Sequence, residues 1–376
     1  MKKCIIISDS FKGTLTSREI CEIGRSVIPG VFPGCEVVAI PVADGGEGTV
    51  ECFVEAIGAE RVAAKVTGPY GEEITAVYAR KGVLAVIEMA SAAGLPMVAE
   101  RKDPSATTTY GVGQLIRHAV ENGCREILLG LGGSCTNDGG CGCAAALGVE
   151  FLDENGTAFV PRGGDLGNIA RIRTEQAGAL LRDVSVTCIC DVDNPLYGPT
   201  GAAHVFAPQK GADAAMVELL DGQLKALSEV VKRELGADIS TLSGAGAAGG
   251  FGGGAVAFLG ARLRPGIEVV LDTVDFDSYL RGTDLVITGE GRVDGQSARG
   301  KVISGVAKRT AAAGVPLVVI AGGIAEDAEE AYALGVTAMF GIDREAVAFE
   351  TYAHRSGEYY RKTLEDILRL ILAVRR

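Results

Sequence analysis

The feature that most restricts the fold of this 376-residue chain is a β-α-β rhythm that opens the sequence, breaks off, and returns only near its end. Cys4 to Ile7 is an unbroken apolar run ending at Ser8-Asp9, the mark of a strand buried on both faces. Thr16-x-x-Glu19 is a capping box that opens a helix to about Ile28. Glu36 to Pro41 reads as the next strand, and a second helix starts after Asp44-Gly45-Gly46-Glu47-Gly48. Two parallel strands cannot cover both of their own faces, so this opening needs partners from elsewhere. From Asp284 the rhythm resumes, with apolar strands at Leu285 to Ile287, Leu317 to Ile320 and Ala338 to Gly341, and helices near 299–313 and 325–333. In a last helix Leu364, Ile367, Leu368, Ile371 and Leu372 recur at helical spacing, and terminal arginines favour its dipole.

Residues 1–65 and 281–376 are therefore expected to share one Rossmann- or flavodoxin-like parallel sheet, with residues 66–280 inserted as a mixed-sheet α/β domain and ligands bound in the cleft between the two. Around and beyond residue 65 the pattern changes: Arg61 to Val66, Ile74 to Tyr78 and Leu84 to Glu88 are short runs parted by turn signals, which suggests antiparallel strands. Tyr110 to Glu121 and Gly139 to Leu147 read as helices, and Glu126 to Leu129 and Val184 to Cys190 as strands. The 53 glycines predict many close backbone approaches.

A formal charge of -12 argues against nucleic acid or an anionic membrane surface as partner, because both require a basic face. Small solutes remain. The apolar run at Cys4 is too short for a signal peptide, and the uncharged stretch Ser243 to Ala261 carries eight glycines and is a poor membrane span. The ten cysteines read mostly as small core residues of a cytoplasmic protein, although Cys141/Cys143 and Cys188/Cys190 leave a thiolate metal site as a non-enzymatic alternative. The three histidines show neither triad nor metal spacing.

Polar residues gather just after the expected strands, where open α/β sheets bind ligands: Asp9, Ser10 and Lys12 after the first, Asp44 and Glu47 after the second, Glu290, Arg292 and Asp294 after the Leu285 strand. Capping and solvated-loop roles compete with function for each of them alone. Gly130-Leu-Gly-Gly-Ser-Cys-Thr-Asn-Asp-Gly-Gly140 links a strand to a helix, where free amides could hold an anion or simply make a tight turn. Asp138 there could cap the helix or hold Mg²⁺. Cys190-Asp-Val-Asp-Asn-Pro195 offers hard oxygen ligands or a plain Asx-Pro turn. Gly244-Ala-Gly-Ala-Ala-Gly249 matches a dinucleotide fingerprint and keeps an NAD(P)-dependent dehydrogenase open, but no apolar strand precedes it.

Seven stretches in order resemble the bacterial glycerate kinase family: Asp9-Ser-Phe-Lys-Gly13, Pro41-Val-Ala-Asp-Gly-Gly-Glu-Gly-Thr49, Ser105-Ala-Thr-Thr-Thr-Tyr-Gly111, Gly132-Gly-Ser-Cys-Thr-Asn-Asp-Gly-Gly140, Asp191-Val-Asp-Asn-Pro-Leu196, Gly201 to Ala212 and Thr288 to Ser297. The resemblance covers almost the whole chain and implies ATP as donor, Mg²⁺ as metal and D-glycerate as acceptor, with 2-phosphoglycerate the expected product and 3-phosphoglycerate the alternative. On that footing Asp191, Lys12, Asp9 and Arg292 are the catalytic candidates, with Asp191, Asp294 and Asp138 for the metal. Ser10, Asp44, Glu47, Ser105, Thr107, Asn194 and Lys210 are expected to hold the substrate, and Gly132, Gly133, Ser134, Asn137, Glu290 and Lys301 the nucleotide. A monomer or a homodimer is compatible with this reading.

Overall fold

The computed structural model describes all residues except Lys12, Ala43, Asp44, Glu47, 296–301, 346–350, Tyr352, Arg375 and Arg376. The terminal arginines expected to favour the last helix thus lie outside the described residues, as does the start of the helix expected near 299. The chain divides into two compact units, one of Met1–Ala43, Glu55–Ile57 and Pro265–Arg376, the other of Asp44–Val54 and Gly58–Arg264. The divisions fall earlier than residues 65 and 280 because Glu60–Thr67 pairs along its length with Glu73–Lys81 in the second unit, while the helices Gly266–Thr273 and Phe276–Leu280 pack on Val302–Ala313 in the first.

The first unit carries a five-stranded, wholly parallel sheet in the order Ala338–Gly341, Leu317–Ala321, Leu285–Thr288, Lys3–Ser8, Glu36–Pro41. Numbered within the unit this is 2-1-3-4-5, the flavodoxin-like doubly wound order. Lys3–Ser8 is bonded on both sides, with Ile5 opposite Val286 and Val38, and Cys4, Ile5, Ile6 and Ile7 are all 0% exposed. That burial is why the run shows no alternation, and each such side chain contributes roughly 1.5–3 kcal/mol. The helix Ser17–Val31 begins at the expected capping box: the Glu19 amide donates to Thr16 Oγ1 (3.1 Å) and the Thr16 amide to Glu19 Oε2 (2.8 Å). Gly24 lets this helix sit directly on the sheet, because a Cβ there would meet Ile6 Cδ1 at 1.7 Å. The C-terminal helix Ser356–Val374 lies beside it and presents Tyr360 edge-on to Phe11, ring centroids 5.8 Å apart.

The second unit carries a six-stranded mixed sheet in the order Arg262–Arg264, Ser185–Ile189, Glu126–Gly130, Leu84–Glu88, Glu73–Lys81, Glu60–Thr67. Leu84–Glu88 is the pivot. It runs antiparallel to Glu73–Lys81, as the turn signals require, and parallel to Glu126–Gly130 on its other edge, a pairing that the local pattern did not predict. A 22-residue helix, Ala214–Leu235, and a small antiparallel sheet of Glu150–Leu152, Ala158–Phe159 and Arg171–Arg173 complete this unit without counterparts among the expected elements. The helix is plain in its pattern: the Asp213 side chain caps the Met216 amide, and Val217, Leu220, Leu224, Leu227 and Val231 bury one face. No helix of the described residues is long and apolar enough to cross a membrane.

Candidate active site

In the first unit, the expected residues cluster where the strand order reverses, between Lys3–Ser8 and Leu285–Thr288. Such a switch point opens a crevice beyond the strand ends. Ser8 Oγ and the Asp9 amide both donate to Gly289 O, each at 2.9 Å, which ties the two strand-end turns together. Asp9 Oδ1 accepts the Ser10 amide at 2.7 Å, so Asp9 and Ser10 share one compact turn. Glu290 follows one residue after Gly289 and is 7% exposed, and Arg292 and Asp294 lie on and after the short strand Arg292–Val293. Gly289 is obligatory, because a Cβ would meet Ile320 O at 1.8 Å. Lys12, Asp44, Glu47 and Lys301 lie outside the described residues.

In the second unit, the glycine-rich turn from Gly130 to Gly140 leaves the carboxyl end of Glu126–Gly130, and Asp191 follows the adjacent parallel strand Ser185–Ile189. The turn is held by backbone-to-backbone packing: the Gly132 amide donates to Gly45 O (3.0 Å), and Cβ atoms on Gly130 and Gly132 would meet Gly45 O at 2.3 Å and Gly46 Cα at 2.5 Å. The glycines of the Asp44–Gly48 stretch and of the Gly130–Gly140 stretch are therefore each other's packing partners. Gly132 is half-buried and Gly133 exposed, while Ser134 through Gly140 are buried.

Beneath this mouth sits Lys210, 2% exposed, whose ammonium donates to Ser134 Oγ (2.8 Å) and Thr136 O (2.7 Å). Burial pulls its pKa down to about 8, against the upward pull of Cys135 and Asp138. Asn137 is 0% exposed, and among the described residues neither of its amide atoms nor the buried Thr136 hydroxyl has a hydrogen-bond partner. Leaving such groups unpaired costs on the order of 1–3 kcal/mol each. Thr107 Oγ1 donates to Cys135 O at 3.1 Å and so braces the turn, and Ser105 closes an Asx turn on Asp103. Asn194 Nδ2 donates to Thr200 O at 2.8 Å and shapes the loop after Asp191.

Asp138 is fully engaged. Its Oδ2 accepts the Thr109 amide (2.7 Å), the Thr109 hydroxyl (2.8 Å) and the Gly142 amide (3.3 Å), and its Oδ1 accepts the Gly140 amide (3.1 Å). Burial pushes its carboxyl pKa up, and these donors oppose the rise. Of the two roles the sequence left open for Asp138, the capping one is what these bonds perform. The first amides of the short helix Cys141–Leu147 are all taken, that of Cys141 by Asp138 O (3.0 Å), that of Gly142 by Asp138 Oδ2 and that of Cys143 by Thr109 Oγ1 (2.9 Å), so they offer no cradle for an anion. Among the described residues no three His, Cys, Asp or Glu side chains stand together as a metal-binding group. The paired thiols Cys141 and Cys143 are buried with pKa values pushed well up, the state of packed core residues.

The Gly244–Gly249 stretch does not have the setting of a dinucleotide fingerprint. No strand precedes it, and the helix Ala247–Leu259 is broken at Ala248, Gly249 and Gly250. Its glycines serve close packing on the Gly130–Gly140 turn: a Cβ on Gly249 would meet Thr136 O at 2.1 Å, and one on Gly254 would meet Gly139 O at 1.9 Å. The run of small residues was itself compatible with close helix packing, and what the sequence did not name was the turn it packs on. His118, singled out by no motif, is half-buried and faces the hydroxyl of the core residue Tyr78 at 3.2 Å.

Turns that carry acids, glycines and a buried ammonium beyond the ends of parallel strands place the chain among α/β enzymes of small anionic ligands. The sequence model of the glycerate kinase family matches residues 4–372. A glycerate kinase of Bacillus subtilis (strain 168) is 43% identical across 97% of this chain and 96% of its own length, and the glycerate 2-kinase of Escherichia coli (strain K12) is 43% identical across 90% of each. A glycerate kinase 2 candidate of Salmonella typhimurium LT2, known from its crystal structure, superposes with a TM-score of 0.87 at 38% identity, over 100% of this chain and 99% of that one. The chain belongs to the glycerate kinase family, and it is a kinase.

Proposed function

We propose that this kinase transfers the γ-phosphoryl group of ATP to the 2-hydroxyl of D-glycerate, giving 2-phosphoglycerate and ADP. The observation that carries the reading is the Asp191–Asn194 turn, which stands beside the glycine-rich turn at neighbouring strand ends in a chain matched to glycerate kinases from residue 4 to residue 372. The 43% identity with an Escherichia coli protein named glycerate 2-kinase favours the 2-hydroxyl over the 3-hydroxyl.

Phosphoryl transfer asks the protein for positioning and charge neutralisation more than for covalent chemistry. Asp191 is the proposed base: its carboxylate takes the proton of the acceptor hydroxyl as the new O–P bond forms. Gly132, Gly133 and Ser134 are proposed to receive phosphate oxygens, a role suited to a turn that only glycine can pack so closely. Asn137, with both amide atoms unpaired among the described residues, and Glu290 are proposed nucleotide contacts, and Asp9, Ser10, Ser105, Thr107, Asn194 and Arg292 are proposed to shape or hold the acceptor side. Lys12, Asp44, Glu47 and Lys301 retain the roles the resemblance gives them.

Mg²⁺ fits this donor chemistry, since it takes one or two protein carboxylates and completes its shell with phosphate oxygens and water, and Asp191 and Asp294 each follow a strand end of their own unit. When bound, the ion would neutralise charge on the transferring phosphoryl group. Asp138, saturated by its own donors, is better suited to hold the turn. Ten free cysteines agree with a reducing, cytoplasmic setting.

The test is a proton-coupled phosphorus NMR spectrum of the product formed from ATP, Mg²⁺ and D-glycerate. Phosphate on the secondary O2 is split to a doublet by its one carbinol proton, and phosphate on O3 to a triplet by two. A triplet would refute the regiochemistry, and no new organic phosphate would refute the activity. Asp191→Asn is expected to lower kcat by orders of magnitude with an unchanged melting temperature, and near-normal turnover would remove Asp191 as the base.

A further inference from the structure

We infer that Lys210 and Ser134 form a single anion subsite, in which the buried ammonium fixes the Ser134 oxygen so that the serine hydroxyl donates its own proton to a phosphate or carboxylate oxygen arriving at the Gly132–Gly133 mouth. The inference rests on the kinase reading and deepens it. By motif, Lys210 is expected to hold the acceptor and Ser134 the nucleotide. Their 2.8 Å hydrogen bond makes them parts of one device that serves one anion.

The geometry leaves the serine proton little choice. A hydroxyl that accepts an N–H bond keeps its own proton for donation. Lys210 occupies Ser134 Oγ as an acceptor, and among the described residues no acceptor receives the Ser134 proton. Ser134 is itself 6% exposed and adjoins the exposed Gly133, so the free direction lies at the mouth of the turn. The backbone on either side is fixed: the Leu95 amide donates to Gly133 O (2.8 Å), the Cys135 amide to Ala93 O (2.9 Å), and the Gly132 amide to Gly45 O (3.0 Å).

Two further observations point to an absent anion. Lys210 is buried, yet its partners are a hydroxyl and a carbonyl, and among the described residues it makes no ion pair. A buried cation with no opposite charge in direct contact is unfavourable even with Asp138 acting on it from a distance, and an incoming anion relieves it. The adjoining residues Thr136 and Asn137 add three buried polar atoms with no partner among the described residues, which is more than a turn of purely structural purpose would leave unmade. Lys210 is thus a positioning residue that polarises Ser134, and its charge makes the serine a stronger donor than a neutral neighbour would.

Kinetics of the full chain separate the two possible sources of the anion. KM for ATP, KM for D-glycerate and kcat are measured for the wild type, Ser134→Ala, Ser134→Thr and Lys210→Met. Ser134→Ala and Lys210→Met are expected to raise the KM of the same one ligand about tenfold or more, and Ser134→Thr is expected to recover most of the loss. A shift confined to ATP identifies a phosphate oxygen, and one confined to D-glycerate a carboxylate oxygen. Both KM values within twofold of the wild type in folded variants, or a shift in different ligands for the two residues, would overturn the inference. Should Lys210→Met fail to fold, Ser134→Ala decides alone. Calorimetric titration with ADP and with D-glycerate, each alone, keeps the question apart from turnover. Weakened binding of one of them in Ser134→Ala supports the subsite even if the wild type does not phosphorylate glycerate, and unchanged binding of both, or none in the wild type, overturns it.

Discussion

Replacing Lys210 by methionine tests the electrostatics on which the glycine-rich turn is built. Burial lowers the Lys210 pKa from 10.5 to about 8, and each unit corresponds to about 1.4 kcal/mol, so keeping the lysine charged in the folded protein costs roughly 3 kcal/mol near neutral pH. Methionine removes that cost but leaves Thr136 O without its donor, a loss of about 1–3 kcal/mol. The two effects nearly offset, and the variant is expected to stay folded near neutrality with a stability within about 2 kcal/mol of the wild type. The pH dependence is sharper. Between the folded pKa near 8 and the unfolded value of 10.5, the folded lysine has lost its proton while the unfolded one keeps it, so wild-type stability rises with pH. Methionine does not titrate. Urea unfolding from about pH 7.5 to about pH 9.5 should therefore move the difference in stability by about 2 kcal/mol in favour of the wild type. The titratable groups that act on Lys210 are Cys135, whose thiol burial pushes up to about 12, above that window, and Asp138, whose carboxyl burial also pushes up. A difference that stays flat across the range would show that Lys210 keeps an ordinary pKa and is not desolvated.

Asn137→Leu removes two buried polar atoms that are unpaired among the described residues and keeps the branching of the side chain, so thermal stability is expected to hold or rise by about 1 kcal/mol while kcat/KM falls; a clear loss of stability would show that the amide is satisfied in the free protein or that the larger side chain does not fit. Asp138→Ala strips the partner from the Thr109, Gly140 and Gly142 donors and is expected to cost about 3 kcal/mol or more in denaturant unfolding, and a mild effect would contradict the saturated cap. Gly249→Ala puts a Cβ 2.1 Å from Thr136 O at a φ of +68° and is expected to destabilise by about 2 kcal/mol or more. As its control, Gly178→Ala, in an exposed helical position with nothing within 4 Å of the added methyl, is expected to stabilise by about 0.5–1 kcal/mol.

The parallel sheet of the first unit was legible because its strands are buried on both faces and its helix start is signalled chemically. Cys4 to Ile7 can show no alternation when both neighbouring strands are present, and Thr16 and Glu19 form the capping box their spacing predicts. The return of strands at Leu285 then fixed the partners. The second unit was less legible for a topological reason: Leu84–Glu88 is antiparallel to one neighbour and parallel to the other, and a five-residue apolar run carries no mark of which partner lies on which edge. The helix Ala214–Leu235 is a different case, since Asp213 and the spacing of Leu220, Leu224, Leu227 and Val231 announce it in full.

The site was legible in its residues and opaque in its pairings. Glycine motifs mark where backbone must come close, and they located the turn at Gly130–Gly140, but a glycine does not name the partner it makes room for. Gly132 makes room for Gly46, and Gly249 for Thr136, across separations that no local pattern encodes. Lys210 is the strongest instance. In the sequence it is one lysine among 36 basic residues, distinguished only by its motif, and nothing nearby states that its ammonium lies under Ser134, 76 positions earlier. Burying that charge against a hydroxyl and a carbonyl is unfavourable for a scaffold and useful for a protein that must recognise an anion. A sequence can therefore announce that a lysine belongs to a site, while the choice of which oxygen it prepares for the ligand is made only when distant turns close upon each other.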